Sequence, residues 1–288
     1  MQLIKEFHHW LVEDGKMAKT LESYTGDLRT FLAWKRKRDR SKENLTRKDI
    51  LDYKQYLLNT GYAVNTINKK INSLRSYNEF LIEREELDEM IVQPEKDRVK
   101  IANGSGSNVD VFDEKEIESI LSYVREESSR RNQMIVHLLL YTGIRVTELV
   151  NIKLNDLDLM AGELKVVGKG GKYREIPLNA KVKRSIRNYL STERKENKHS
   201  DSDYLILTQR SPQAHRDTIN YMLNGIAEEL GIEIYPHKFR HTTFTRLVKK
   251  GADIATVSEL AGHASIETTH EYYLNTTKEE KLQAVELL

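Results

Sequence analysis

The stretch HKFRHTTFTRLVKKGADIATVSELAGHASIETTHEYY, residues 237–273, decides how the rest of the chain is interpreted. It holds four histidines, two arginines and three lysines, and it ends on two adjacent tyrosines, Tyr272 and Tyr273. The formal net charge of the whole chain is only +2, so the local concentration of cations carries more information than the total. This distribution points to an anionic partner at one region of the protein.

The pentapeptide HKFRH follows Pro236, so it is expected to open a helix. His237 and His241 then lie one turn apart, a spacing that can hold zinc. Lys238 and Arg240 intervene, however, and the glutamate of an H-E-x-x-H motif is missing, so a metal dication would lie beside two fixed cations. A phosphate suits the cluster better, because Arg240 can bind it bidentately and His237 can exchange a proton near neutral pH. No metal site is predicted.

Upstream, TGIRVTEL places Arg145 directly after the strongly apolar segment RNQMIVHLLLYTGI, which should be a buried helix. An arginine at such a position is expected to have an acid or an anion as its partner. Glu148, three residues later, can share a helix face with Arg145. Two interpretations follow: a surface ion pair, or a guanidinium that its acidic neighbour holds ready for a phosphate.

The segment VVGKGGKYREIPL has strand-like runs around a glycine-rich turn, which predicts a hairpin with Lys169 and Lys172 at its tip. It does not match the P-loop pattern G-x-x-x-x-G-K-[ST]. The tip is either a solvated turn or a means of delivering a lysine to a phosphate or a leaving group.

Residues 1–100 have apolar side chains at helical spacing and are predicted to form a helical domain. The small and polar segment IANGSGSNVD follows, and it indicates a flexible linker over 101–110. Asp113 is expected to cap the first helix of a second domain, 111–288. The fold class predicted is mainly α with a small antiparallel β-sheet, in two domains.

Basic side chains near two predicted helices of the first domain are candidates for contact with a DNA backbone. One group belongs to the run KRKRDRSK, which follows an aromatic helix, and the other lies on the fourth helix. The candidates are Lys35, Arg36, Lys37, Arg38, Lys69, Lys70 and Arg75. The alternative for the run is a solvated helix end, where cations are favourable.

The composition excludes several classes of protein. The chain has no cysteine, which rules out disulfides, thiolate catalysis, cysteine-bound zinc and iron–sulfur clusters. The N-terminus lacks the apolar core of a signal peptide, and no stretch approaches the roughly 18 apolar residues of a membrane span. A cytoplasmic protein with no membrane partner is expected.

Taken together, TGIRVTEL, VVGKGGKYREIPL, PHKFRHTTFTRLVKKGADIATVSELAGH and SIETTHEYY resemble the tyrosine recombinase (phage integrase) family, in particular its Xer-like members. Each piece alone is weak, but the set in this order is specific. The resemblance assigns a catalytic set: Arg145, Lys169, His237, Arg240, His263 and the nucleophile Tyr272. Glu148 is expected to support Arg145 as its acidic neighbour.

The register favours Tyr272 over Tyr273 as the nucleophile. Tyr272 lies nine positions after His263, as in the family, and only one of two adjacent helical side chains can face the site. Tyr273 remains an alternative. The chain departs from the family pattern in two places. Tyr273 duplicates the tyrosine, and Ala261 precedes the Gly-His pair where leucine is frequent.

The resemblance implies a SAM-like helical core-binding domain, followed by a catalytic domain with a C-terminal tail helix. It also implies strand cleavage through a 3′-phosphotyrosyl intermediate and a Holliday junction, with no cofactor, metal or ATP. The implied partners are double-stranded DNA with inverted-repeat core sites, and a homotetramer or heterotetramer in which the C-terminal segment docks on a neighbouring subunit. Accessory proteins are a further class of partner.

Two other function classes are alternatives to recombination. A non-catalytic DNA-binding or architectural protein would not need the complete catalytic set. A metal-dependent nuclease or relaxase would need an acidic ligand cluster or a histidine–hydrophobic–histidine motif, and the sequence has neither. Integration, dimer resolution and cointegrate resolution all stay open as biological roles, although 288 residues favour a simple Xer-like or transposon-resolving enzyme.

Overall fold

The computed structural model describes residues 2–38, 45–100, 110–168 and 173–262. Five candidate side chains lie outside these ranges: Lys169, Lys172, His263, Tyr272 and Tyr273. The chain divides into two compact units, Met1–Ser105 and Gly106–Leu288. In the described ranges, no helix is both long and apolar enough to cross a membrane.

The first unit is helical, as its periodicity predicts. Its helices are α1 (Gln2–Glu13), α2 (Ala18–Arg36), α3 (Arg47–Asn59), α4 (Val64–Glu83) and the short α5 (Pro94–Asp97). Aromatic rings form much of its core: Phe7 meets Tyr77 and Phe80 edge-on, with ring centroids 5.6 and 5.5 Å apart. These contacts join α1 to α4 and give the unit a core of its own.

The second unit combines seven helices with a small sheet in the residues that the structure describes. Its elements are α6 (Glu114–Glu126), α7 (Arg130–Thr142), α8 (Val146–Leu149), β1 (Leu157–Asp158), β2 (Glu163–Val167), β3 (Tyr173–Pro177), α9 (Ala180–Ser191), α10 (Arg216–Leu230), α11 (Pro236–Lys249) and α12 (Ile254–Ala261). The strands are antiparallel in the order β1–β2–β3. The predicted fold class, mainly α with a small antiparallel sheet, is confirmed.

The start of α6 shows how local sequence sets an element. Asp113 accepts a hydrogen bond from the amide of Glu116 at 2.8 Å, and the Glu116 carboxylate accepts one from the amide of Asp113 at 2.9 Å. This reciprocal capping box satisfies two amides that a helix start leaves without partners. The predicted cap at Asp113 is confirmed.

Helix α7 is the centre of the second unit. It packs against α6, α9 and α11, and apolar side chains around its circumference are buried, as expected for so apolar a segment. The helix ends at Gly143, whose φ of 61° lies in the left-handed region that glycine adopts without strain.

Gly143 also permits a close approach of α11. A Cβ at this position would lie 2.7 Å from ring atoms of Phe244 on α11, well inside van der Waals contact. Two structural features therefore require a glycine at position 143 of TGIRVTEL: the left-handed backbone conformation and the close packing of α11. Because Arg145 follows two residues later, the packing of Gly143 against α11 also fixes the position of the Arg145 backbone.

We predict that Gly143→Ala lowers the free energy of unfolding by about 2 kcal/mol or more, through left-handed strain and overpacking. The matched control is Gly225→Ala in α10, where a Cβ would meet nothing within 4 Å. That substitution should stabilise the protein by roughly 0.5–1 kcal/mol, because alanine is the better helix former. Urea unfolding of both variants checks the pair, and equal stabilities would contradict this account.

Candidate active site

Arg145 is held from two sides at the start of α8. Its Nη1 donates to Oε1 of Glu148 at 2.9 Å, and its Nη2 donates to the carbonyl of Gly262 at 3.1 Å. The backbone amide of Arg145 donates to Oε2 of Glu148 at 3.0 Å. The side chain remains 31% exposed, so the guanidinium is oriented by the protein but can still reach a ligand.

Arg240 is buried on α11, with 4% of its surface exposed. Its Nη1 donates to the carbonyl of Gly143 at 2.7 Å, and its Nη2 donates to the carbonyl of Ala261. The guanidinium carbon lies 4.9 Å from the ring centroid of Phe244. These contacts are with neutral groups, so they orient the cation without cancelling its charge.

The two arginines meet at one turn of the chain. Arg145 binds the carbonyl of Gly262, and Arg240 binds the carbonyl of the preceding residue, Ala261. Gly262 ends α12 with a φ of 60°, and the next residue in the sequence is His263. The structure therefore brings together two candidates that are 95 residues apart, 145 and 240, beside the position where a third follows.

His237 lies on the first turn of α11 and is exposed. Partial desolvation by the surrounding protein lowers its pKa below the usual 6.5, and the positive charges of Arg240 and Arg145 lower it further. His237 is therefore neutral at pH 7, the form that accepts a proton. The influence of both arginines also means that all three side chains share one electrostatic environment.

Glu148 is the anionic centre of this region, and its side chain is only 5% exposed. A second arginine that the sequence reasoning missed, Arg174 on β3, binds both carboxylate oxygens at 2.8 Å. Burial opposes ionisation of Glu148, but hydrogen bonds from Arg174 and from the amide of Arg145 outweigh it and hold its pKa below the usual value.

One signal in the sequence could have identified Arg174. Strand β3 alternates, and Arg174 and Ile176 occupy its more buried positions, paired with Val166 and Leu164 of β2. A charged residue on the inward face of a strand needs a partner. The inward position of Arg174 in YREIPL therefore indicates an acidic partner, which the structure shows to be Glu148.

The seven cations of the first unit that are candidates for DNA contact fall into two groups. Lys35 forms an ion pair with Asp49 at 3.0 Å, and Lys70 forms one with Asp27 at 2.9 Å; both lysine side chains are less than 10% exposed. These ammonium groups hold α2 to α3 and α2 to α4, and we remove both lysines from the predicted DNA contacts. The exposed side chains are Arg36, Lys37, Arg38, Lys69 and Arg75.

Comparisons with known proteins match both units of the chain. The model of the phage integrase family matches residues 110–280, and that of the phage integrase N-terminal SAM-like domain matches residues 4–85. The TnP I resolvase of Bacillus thuringiensis is 32% identical over 100% of both chains. The tyrosine recombinase XerD of Oceanobacillus iheyensis is 34% identical over 96% of this chain and 94% of its own.

A solved structure shares the whole fold. The Tn1549 transposon integrase in complex with a circular intermediate DNA superposes with a TM-score of 0.77 at 17% identity, over 99% of this chain and 98% of that one. The family models and the relatives above 30% identity define a tyrosine recombinase. The chain belongs to the phage integrase family, which confirms the predicted function class, site-specific DNA recombination.

The buried ion pair of Lys70 gives a prediction about the first unit. Lys70→Met should lower the free energy of unfolding by about 1–3 kcal/mol, less than the full cost of breaking a buried pair, because Lys69 and Ser73 also contact Asp27. Lys37→Met, at an exposed position, should change stability by less than about 0.5 kcal/mol and weaken DNA binding instead. Urea unfolding and DNA titration of both variants separate the two roles; equal stability losses would contradict the division.

Proposed function

We propose that this protein cleaves and rejoins DNA at specific sites by transferring a strand to Tyr272 and then to the hydroxyl of a partner duplex. The observation that carries the proposal is the convergence of Arg145 and Arg240 on the adjacent carbonyls of Gly262 and Ala261, directly before His263. Two oriented guanidiniums beside a neutral histidine suit a phosphodiester better than any other common substrate group.

The arginines act on the charge of the reacting phosphate. A phosphodiester carries one negative charge, and a second develops as the nucleophile adds to phosphorus. Arg145 and Arg240 would stabilise that added charge through the non-bridging oxygens. Because both side chains are already oriented, little reorganisation is needed, and removing one such donor typically costs roughly 3–4 kcal/mol of barrier.

The tyrosine needs help to attack, since a phenol has a reference pKa of about 10. In the proposed step, His237 takes the phenolic proton while the Tyr272 oxygen bonds to phosphorus and the bond to the 5′ oxygen breaks. Lys169 gives a proton to that departing oxygen, and His263 hydrogen-bonds the phosphate. The products are a 3′-phosphotyrosyl link and a free 5′-hydroxyl, and reversal by a partner hydroxyl needs neither ATP nor metal.

The DNA and the assembly follow from the same proposal. Double-stranded DNA with inverted-repeat core sites would lie along the exposed cations Arg36, Lys37, Arg38, Lys69 and Arg75 of a core-binding domain over 1–100, with Lys172 adding a contact from the hairpin. A linker over 101–110 would join it to a catalytic domain over 111–288. Four subunits, equal or of two kinds, would form the Holliday junction, each docking its C-terminal segment on a neighbour.

Relatives support a role in moving or resolving DNA elements. One is named a resolvase, and a structural neighbour is a transposon integrase in complex with a circular intermediate DNA. We therefore propose resolution or integration of a mobile or replicated DNA element, with accessory proteins where the reaction needs a fixed direction.

The covalent intermediate gives the direct test. With a nicked half-site whose cleavage releases a short fragment, wild-type protein in EDTA should form a covalent DNA adduct, visible on a denaturing gel. Tyr272→Phe should abolish the adduct, because the attacking oxygen is gone, while Tyr273→Phe should retain it. A metal requirement, or an adduct that survives Tyr272→Phe, would reject the proposal.

The depressed pKa of His237 gives a second test. Because the neutral form is the base, the rate of adduct formation should be level above pH 6.5 and should fall on acidification, with an inflection below 6.5. His237→Gln should be slower and should lose this acidic limb. DNA affinity measured at each pH separates binding from cleavage. If the rate of His237→Gln falls on acidification as the wild-type rate does, a group other than His237 takes the proton.

A further inference from the structure

Arg174 is the most fully engaged arginine around Glu148. It lies on β3 with its side chain only 12% exposed, and its Nη1 and Nη2 bind the two oxygens of Glu148, each at 2.8 Å. Its Nε also donates to the carbonyl of Leu260 at 3.2 Å. All three nitrogens of this guanidinium thus donate to protein acceptors, and its side chain is less accessible than that of Arg145, which is 31% exposed.

Glu148 is shared between the two arginines. Its Oε1 accepts from Nη1 of Arg145 at 2.9 Å and from Nη1 of Arg174 at 2.8 Å. Its Oε2 accepts from the backbone amide of Arg145 at 3.0 Å and from Nη2 of Arg174 at 2.8 Å. The bidentate contact belongs to Arg174, and fork-to-fork geometry makes it the stronger of the two ion pairs.

The charge balance gives this arrangement a consequence for catalysis. Arg145 and Glu148 alone sum to zero, so the carboxylate would compete with a phosphate for the guanidinium. With Arg174 added, two cations and one anion leave a net charge of +1. Because Glu148 is 5% exposed and Arg174 12% exposed, solvent screens these charges less than it does on the surface.

Arg174 also contacts the turn that holds both catalytic arginines. A Cβ on Gly262 would lie 3.1–3.3 Å from Nη1, Cδ and Cζ of Arg174, so the guanidinium packs directly on that glycine. The carbonyls of Ala261 and Gly262 bind Arg240 and Arg145. The Arg174 side chain of β3 therefore contacts both the Glu148 carboxylate and the turn at Ala261 and Gly262 that binds the two arginines.

We propose that Arg174 is a positioning residue of the recombination reaction, which saturates the Glu148 carboxylate so that Arg145 keeps its positive charge for the scissile phosphate. The inference rests on the proposed function, since it assigns Arg145 to that phosphate. Arg174 acts through Glu148 and needs no contact with DNA.

The test compares variants that differ in the net charge of Arg145, Glu148 and Arg174. In Arg174→Met, the charges of Arg145 and Glu148 sum to zero. The double variant Arg174→Met/Glu148→Gln returns the sum to +1, although it removes the bidentate contact. Arg174→Lys also keeps +1, with a point charge in place of the planar fork. Each is assayed with the nicked half-site for the rate of adduct formation at saturating DNA, for DNA affinity and for urea unfolding.

The expected result is a rank order of rates. Arg174→Met should slow adduct formation by roughly 10- to 100-fold, the range found when groups that orient metal ligands are removed. The double variant and Arg174→Lys should each be faster than Arg174→Met, and DNA affinity should change less than the rate. A residue that served only folding would give a double variant at least as impaired as the single one, because a second native contact is lost.

Each outcome supports or overturns the role of Arg174. A double variant no faster than Arg174→Met, or a wild-type rate in Arg174→Met, overturns the inference. If Arg174→Met does not fold, the folded double variant and Arg174→Lys should stay within about tenfold of the wild-type rate, and a larger loss in both overturns it. A wild-type protein that forms no Tyr272 adduct rejects the proposed function itself, whereas an active wild type with the wrong rank order rejects the role of Arg174 alone.

Discussion

The arrangement of charges in the second unit depends on the buried carboxylate of Glu148. Glu148 receives the guanidinium of Arg145, the backbone amide that begins α8, and both ends of the Arg174 fork from β3. An unpaired carboxylate at this depth would cost several kcal/mol, so each partner has a structural reason to be in place before any substrate arrives. The same contacts fix Arg145, which links the stability of the fold to the geometry of the site.

Backbone carbonyls do the rest of the positioning. Gly143 and Ala261 accept from Arg240, and Gly262 accepts from Arg145. Two of these three residues are glycines with positive φ, at the ends of α7 and α12, where a helix ends with unpaired carbonyls available. These carbonyl oxygens are neutral, so they orient the guanidiniums without neutralising them, whereas the Glu148 carboxylate also pairs with Arg145.

The first unit uses cations in a different way. Lys35 and Lys70 lie in buried ion pairs that join helices, whereas the neighbouring Lys37 lies on the surface. Lys69 is exposed as well, although it also contacts Asp27. A basic run in the sequence therefore mixes structural and exposed side chains. The helical period decides which is which, because residues one or two positions apart point to different sides of the helix.

The sequence alone determined the helical character, the small hairpin sheet, the cap at Asp113 and the family motifs, because each of these is encoded over a few residues by spacing or residue type. It also paired Arg145 with Glu148, which are three positions apart. Only the tertiary structure decided that Arg174 completes this pair, that Lys35 and Lys70 are buried, and that Arg145 and Arg240 meet at the turn after α12. Those facts depend on contacts between residues far apart in the chain, and no local spacing specifies which distant acceptor a buried cation will find.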